Sequence, residues 1–381
     1  MAPVQRARYS GFLFVYYAHA GVFTTFASLL FAARGMSAPQ VGILMSLIPV
    51  MRIVGPNVWG WVADRSGQRL TVLRATAIAA LVAFATIFVA DSFPALFWAM
   101  LFLNLFTSAQ TPLGEALMLT EMRGDVARYG KVRLWGSAGF IAAVLGFGYV
   151  LELYGIHLLP WLAGAMLVLT VLATFTIRAV APLPHTSAPL PLGQVLRKRE
   201  VQAFFISTGL AVAAHMSLYA YYSLFLEVHG YSKTVIGMMW SLGVLCEIVF
   251  FNFQAPVFGR FGAARVMQAA LLVGCLRFAL IGAAAEFSAV LVAMQCLHAL
   301  TFAAHHSASI VTLQRWFSGP LLARGQALFI SLAYGVGGSI GGLAMAAAWK
   351  QFGPSSVYYL AALFALGAWW WARRATAPHP V

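Results

Sequence analysis

Nine ionisable side chains interrupt stretches that are otherwise apolar: Arg52, Glu115, Glu247 and Arg277, with His19, His215, His298, His305 and His306. A charge at the centre of an apolar, membrane-length helix costs upwards of about 2.5 kcal/mol, so such groups face a cavity or a partner and mark ligand or ion pathways. Asn104, Ser108, Thr111 and Glu115 follow at spacings of 4, 3 and 4, which stacks them on one helical face. A lone carboxylate suits a structural ion pair; a polar stripe ending in one reads better as a cavity wall. His298, Thr301 and His305 repeat the device, with His306 turned partly away. Histidines hydrogen-bonded between helices are the plainer reading. For His298 a functional role is favoured, because Glu247 and Arg277 fall on the two preceding apolar runs of the same half.

Other chemistries are not supported. Adjacent His305 and His306 raise the question of a metal, but neighbours on a helix diverge by about 100° and do not readily hold one ion. HExxH is absent, so neither a metal nor a cofactor is expected. No nucleophile–base pair stands out, so no enzyme is expected either. Aromatic residues accompany the polar ones at helical spacing: Tyr16 and Phe23 with His19, Tyr219 and Tyr222 with His215, Trp240 and Phe251 with Glu247. Most such aromatics are packing; around a cavity they suit a substrate with an apolar or aromatic body.

The elements that carry these residues are apolar and long. Of 381 residues 61% are hydrophobic and 9% charged, with mean hydropathy +0.83, against about 25% charged in soluble domains. Apolar runs long enough to cross a core of roughly 30 Å follow one another at about 10–32, 38–62, 70–90, 93–121, 131–153, 158–180, 201–227, 233–258, 263–285, 287–314, 320–348 and 353–374. The expected fold is an all-α integral membrane protein of twelve transmembrane helices, with no room for a soluble catalytic domain. The first run is too long for a cleavable signal and reads as an anchor. Of the net charge of +14, nearly all the cations fall on one side of this topology, among them Arg6, Arg8, Arg65, Arg69, Arg74, Lys131, Arg265, Arg373 and Arg374. Arg34, Lys233 and Lys350 fall opposite. That asymmetry places both termini in the cytoplasm, in a cell (inner) membrane, and explains the charge without nucleic acid. The three cysteines lie within spans and imply no disulfide framework.

Two halves are expected: six helices over 1–180, a proline-rich cytoplasmic linker at 181–200, and six helices over 201–381. Sliding the chain by 195 residues lays 35–67 on 230–262 without a gap, with eleven identities in 33 positions, including Gly35/Gly230, Asn57/Asn252, Arg65/Arg260 and Gly67/Gly262. Six spans separate the copies, so the repeat is parallel, as in transporters whose site lies at the repeat interface near the midplane. In this register Arg52 meets Glu247. Gly337/Gly341 and Gly338/Gly342, and likewise Gly136 with Gly139, permit close helix approach, for packing or for motion.

The loop GWVADRSGQR, with Gly60, Asp64, Arg65, Gly67 and Arg69, resembles the signature loop of the major facilitator superfamily. The resemblance implies two pseudo-symmetric six-helix halves and a gating role for that loop, with Asp64 meeting the start of span eleven and Arg65 meeting Glu121. YGKVRLWGS at 129–137 and the segment from Gly230 to Glu247 are similar to the 3-phenylpropionic acid transporter branch and, more distantly, to lactose permeases. By that likeness Glu115 and Arg133 take the places of a substrate-binding acid and arginine, and Phe140 that of a sugar-stacking tryptophan. Glu247, Arg277 and His298 take the places of the proton-coupling set, whose further acid is Thr301 here. The expected function is a proton-coupled symporter importing a small aromatic or organic acid by alternating access. Arg133, or Arg52 and Arg277, would meet its carboxylate, with His19, Asn104, Thr111, Phe140, His215, Tyr219 and Trp240 as further substrate contacts. The alternatives are a sugar or nucleoside symporter and, from another class, a non-transporting membrane sensor. The expected partners are the substrate, protons and the lipid bilayer, with the protein a monomer.

Overall fold

The computed structural model describes residues 3–122, 126–178, 192–317 and 321–376, and the described residues are almost entirely helical. Most of the expected linker, 181–191, lies outside them. The helices are α1 (Pro3–Ala33), α2 (Ala38–Ser66), α3 (Arg69–Ala85), α4 (Phe93–Glu121), α5 (Val126–Tyr154), α6 (Leu159–Thr176), α7 (Leu192–Leu196), α8 (Arg199–Val228) and α9 (Lys233–Ala283). Then follow α10 (Ser288–Cys296), α11 (His305–Leu313), α12 (Leu322–Phe329), α13 (Gly338–Phe352) and α14 (Ser356–Ala375). Two wide π-helical stretches, Ala299–Ala304 and Ile330–Gly337, bridge α10 to α11 and α12 to α13.

Among the described residues ten helices are long and apolar enough to cross a bilayer, against the twelve expected. The difference arises at two places. α9 runs for 51 residues through both the eighth and the ninth expected spans, broken only at Gly262, with φ 73° and ψ 156°. α14, of 20 residues, is not among the ten. Large apolar side chains such as Trp161, Val89 and Leu363 stand exposed on the outer faces, a surface that would aggregate in water and that a bilayer solvates.

The chain divides into two compact units, residues 1–185 with 230–241, and residues 186–229 with 242–381. In the first, α1 packs on α5 and α6, and α4 packs on α2 and α3. Phe12, Leu73, Leu113, Leu117, Val132 and Ile177 join these helices in one buried cluster. Residues 230–241 sit on α5: Glu152 accepts the Lys233 amide at 2.6 Å, a carboxylate on the positive end of α9. In the second unit α8 is central, packed on α13 and α14. A Cβ on Gly337 would come within 2.7 Å of the Gly209 backbone, and one on Gly341 within 2.5 Å of the Ala213 Cα. Those glycines therefore serve close packing of backbone on backbone.

The 195-residue repeat has a local geometric counterpart. Gly35 and Gly230 share positive φ (79° and 82°), as do Gly67 and Gly262 (66° and 73°), a region that favours glycine because it has no Cβ. α2 and α9 start at matched positions, each behind a serine: the Ser37 amide donates to Gln40 at 2.9 Å, and the Val235 amide donates to Ser232 at 3.3 Å. Asn57 and Asn252 each donate back to the carbonyl four residues earlier.

Candidate functional site

In the first unit the sequence-predicted residues gather where α1, α2, α4 and α5 meet. Arg133 Nε lies 3.2 Å from Glu115 Oε1, both side chains about a third exposed or less (32% and 25%). The guanidinium also donates to the Tyr17 hydroxyl at 2.6 Å and lies 4.2 Å from the centroid of the same ring. The Tyr129 hydroxyl is within hydrogen-bonding reach of Glu115. Gly136, one turn along α5, makes the arrangement possible: a Cβ there would come within 2.7 Å of the Tyr17 ring and 2.8 Å of the Arg133 guanidinium. Arginine rather than lysine suits such a place, since its planar fork can meet a carboxylate and an aromatic face at once.

Three further predicted residues, His19, Arg52 and Asn104, line one cleft of about 70 Å³ with Tyr16 and Ser108. Arg52 is exposed and makes no ion pair among the described residues. The other two are tied down: His19 Nδ1 lies 2.9 Å from the Ala163 carbonyl, and Asn104 donates to Met100 O at 2.7 Å. Ser108 donates to Met51 O across α2, so part of the polar stripe on α4 serves helix packing. Thr111 is half-buried near the Tyr16 hydroxyl. Phe140 is half-buried against Gly21 of α1.

In the second unit His298 Nε2 lies 2.9 Å from Glu247 Oε1, with both side chains largely buried. Arg277 is wholly buried and is held by three uncharged acceptors: Met294 O at 2.6 Å, Gln295 Oε1 at 2.6 Å and Thr301 Oγ1 at 3.1 Å. A buried guanidinium without a bound carboxylate is costly unless its donors are satisfied, and these three contacts do that work. His215 is buried, with Nδ1 2.8 Å from the Ala211 carbonyl and its ring against Phe278, Phe302, His298 and Tyr219. Trp240 is half-buried on the part of α9 that belongs to the first unit.

The histidines of the second unit and the residues of the signature loop have these neighbours. Regular spacing put His298, Thr301 and His305 on one face and turned His306 aside. In the structure His298, Phe302 and His306 form one column, with centroid separations of 5.4 and 6.3 Å and nearly parallel rings. The cause is the π-helical stretch Ala299–Ala304, whose wider turn brings every fourth residue into line. His306 Nδ1 then stands 3.0 Å from the Tyr334 hydroxyl, itself in the second π-helical stretch. In the signature loop Asp64 is paired with Arg69 at 2.8 Å. Glu121, the expected partner of Arg65, accepts from Gln5 at 3.2 Å, while Arg65 lies over the Trp61 ring. Gly67 ends α2 in the left-handed conformation, and Gly60 has open space where a Cβ would stand.

Tyr17 and Gln295 were missed by sequence reasoning. Tyr17 lies one residue off the Tyr16–His19–Phe23 face, and Gln295 lies three residues before His298, a spacing that would have revealed it.

The comparisons with known proteins fit this picture. A model of the MFS_1 like family matches residues 6–360. The chain is 28% identical over 362 residues to a "Probable 3-phenylpropionic acid transporter" of Escherichia coli (strain K12), covering 93% of this chain and 94% of that protein. It is 24% identical to a maltose permease of Geobacillus stearothermophilus, over 70% and 68% of the two chains. A crystal structure of a nucleoside transporter superposes with a TM-score of 0.86 over 99% of this chain and 100% of that one, at 18% identity, a likeness of fold alone. The chain belongs to the MFS_1 like family, and it is accordingly a multi-pass membrane transporter of the major facilitator type and not an enzyme.

Proposed function

We propose that this transporter is a proton-coupled symporter importing a small aromatic or organic acid, a 3-phenylpropionate-like anion, by alternating access. The observation that carries the reading is the Arg133 cluster: a guanidinium about a third exposed, set between Glu115 and the face of Tyr17, with Arg52 nearby as a further, exposed cation. A substrate carboxylate would compete with Glu115 for the arginine fork, and tyrosine rings would pack its apolar body. The printed name of the Escherichia coli relative supports the same substrate class. In the second unit the Glu247–His298 contact is the proton-holding pair, shielded from water, with Arg277 fixing the local charge. Thr301 spends its hydroxyl on Arg277, so no carboxylate at that position takes part in coupling. The full proposal has twelve spans, with α9 counted twice about Gly262 and α14 as the last. It has both termini in the cytoplasm of the inner membrane, two halves joined by the 181–200 linker, and a monomer.

Binding tests the substrate class directly. Titration of 3-phenylpropionate against the purified protein should show saturable binding that Arg133→Gln abolishes. Undiminished binding by that variant would remove Arg133 from the site. A second reading, a neutral nucleoside or sugar whose hydroxyls donate to Glu115 and Glu247, is favoured by the accessible carboxylate of Glu115. It predicts that Glu115→Gln weakens binding of the nucleoside or sugar.

A further inference from the structure

Two broad grooves flank the cytoplasmic end of α1. One, of about 930 Å³, lies toward α5 and carries Arg6 and Lys131 beside Phe14 and Trp135. The other, of about 870 Å³, lies toward α3 and α6 and carries Arg8, Arg74 and Arg178 beside Leu169 and Phe175. Ala7, Gly11 and Val15, one residue per turn of α1, line both grooves, so the two adjoin across a low ridge. No Cβ-sized contact stands within 4 Å of Gly11. Five cations thus surround one ridge, and no acidic side chain lines either groove among the described residues. Two described acids are already engaged, Glu121 with Gln5 and Asp64 with Arg69.

The cations are only partly used. Arg74 donates to the Thr174 and Ile177 carbonyls at the end of α6 and lies over Phe175, and Arg8 donates to Gln5 of its own helix. A basic surface without lining acids attracts anions. The walls decide which kind. Beyond the basic level the grooves are lined by apolar side chains, of which Trp135 and Phe175 are half exposed. A free inorganic anion would leave those walls bare, whereas a phosphodiester carrying acyl chains satisfies both parts. Basic pockets between membrane helices on the cytoplasmic side are the kind of place where anionic headgroups bind.

We infer that these grooves form a binding site for an anionic phospholipid of the cytoplasmic leaflet, its phosphate held by Arg8, Arg178 and Lys131 and its chains laid along α1. Sequence reading had assigned these cations only to membrane orientation. The site is separate from the Arg133 cluster and does not depend on the transported substrate.

The test is lipid retention by the full chain, purified in neutral detergent with equal amounts of phosphatidylglycerol and phosphatidylcholine and read by native mass spectrometry. The wild type should retain phosphatidylglycerol preferentially, and the triple variant Arg8→Gln, Lys131→Gln, Arg178→Gln should lose that preference by roughly tenfold or more. Arg373→Gln with Arg374→Gln, on the same membrane side, should keep it. Equal retention of the two lipids by the wild type, or equal loss in both variants, would overturn the proposal in favour of diffuse surface attraction. Should the triple variant not fold, photoactivatable phosphatidylglycerol on the wild type decides the matter. Adducts on peptides of α1, α3, α5 and α6 support the site, and adducts spread evenly over the chain contradict it.

Discussion

At the scale of single residues, the two ionic clusters differ in how much freedom they leave. Arg133 is reachable and its partners are exchangeable, as a ligand site requires. Arg133→Lys keeps the charge but loses the planar fork and the stacking on Tyr17. We expect it to raise the KM for an anionic substrate by on the order of 10–100-fold, about 1.4–2.8 kcal/mol, with little change in melting temperature. Glu115→Gln removes the competitor for the fork, so an acid should bind as well or better and a hydroxyl-bearing substrate should bind worse; direct titration reads the sign. Arg277 has no such freedom. Arg277→Met would remove the guanidinium that the Met294 carbonyl, Gln295 and Thr301 accept from in a buried place, at about 1–3 kcal/mol for a buried group left unsatisfied. Thermal unfolding in detergent should therefore show a marked loss of stability, and an unchanged melting temperature would mean that Arg277 is not held for structure.

At the scale of elements, the sequence disclosed what regular periodicity can carry and missed what departs from it. Glu115, Glu247 and His298 were legible because isolated charges in apolar runs are few, and Arg133 through the resemblance alone; the structure sets Arg133 beside Glu115 and His298 beside Glu247. The ring column of His298, Phe302 and His306 was not legible, because spacings of three and four assume an uninterrupted α-helix and a π-helical stretch follows His298. Tyr17 could not be told from a packing aromatic, since the type alone does not say which neighbour a ring meets. The end of the repeated segment was legible as Gly67 and Gly262, yet one ends a helix while the other kinks a 51-residue helix. The next residues account for the contrast only in part: Gln68 and Arg69 start α3 afresh after the loop, whereas Ala263 continues α9. The glycines facing α8 give an element-scale prediction. Gly341→Val would force branched carbons onto the Ala213 backbone; overpacking costs of about 1–3 kcal/mol are usual, so the melting temperature should fall, while Gly146→Ala, in open space, should leave it unchanged.

At the scale of the whole molecule, the family membership, the apolar helices and the repeat describe a transporter, and the proposed function adds a driving force and a substrate. Orientation is checked apart from transport: single cysteines placed at the N- and C-terminal ends, in a cysteine-free background, should react with impermeant maleimide only after the cytoplasmic side is opened. The central claim is tested most directly by uptake of labelled 3-phenylpropionate into proteoliposomes, with and without an inward proton gradient, for the wild type and Glu247→Gln. The account predicts accumulation by the wild type only with the gradient, and gradient-independent exchange without accumulation by the variant. Accumulation unchanged in Glu247→Gln, or no uptake of the acid in vesicles that transport a nucleoside or sugar, would contradict it.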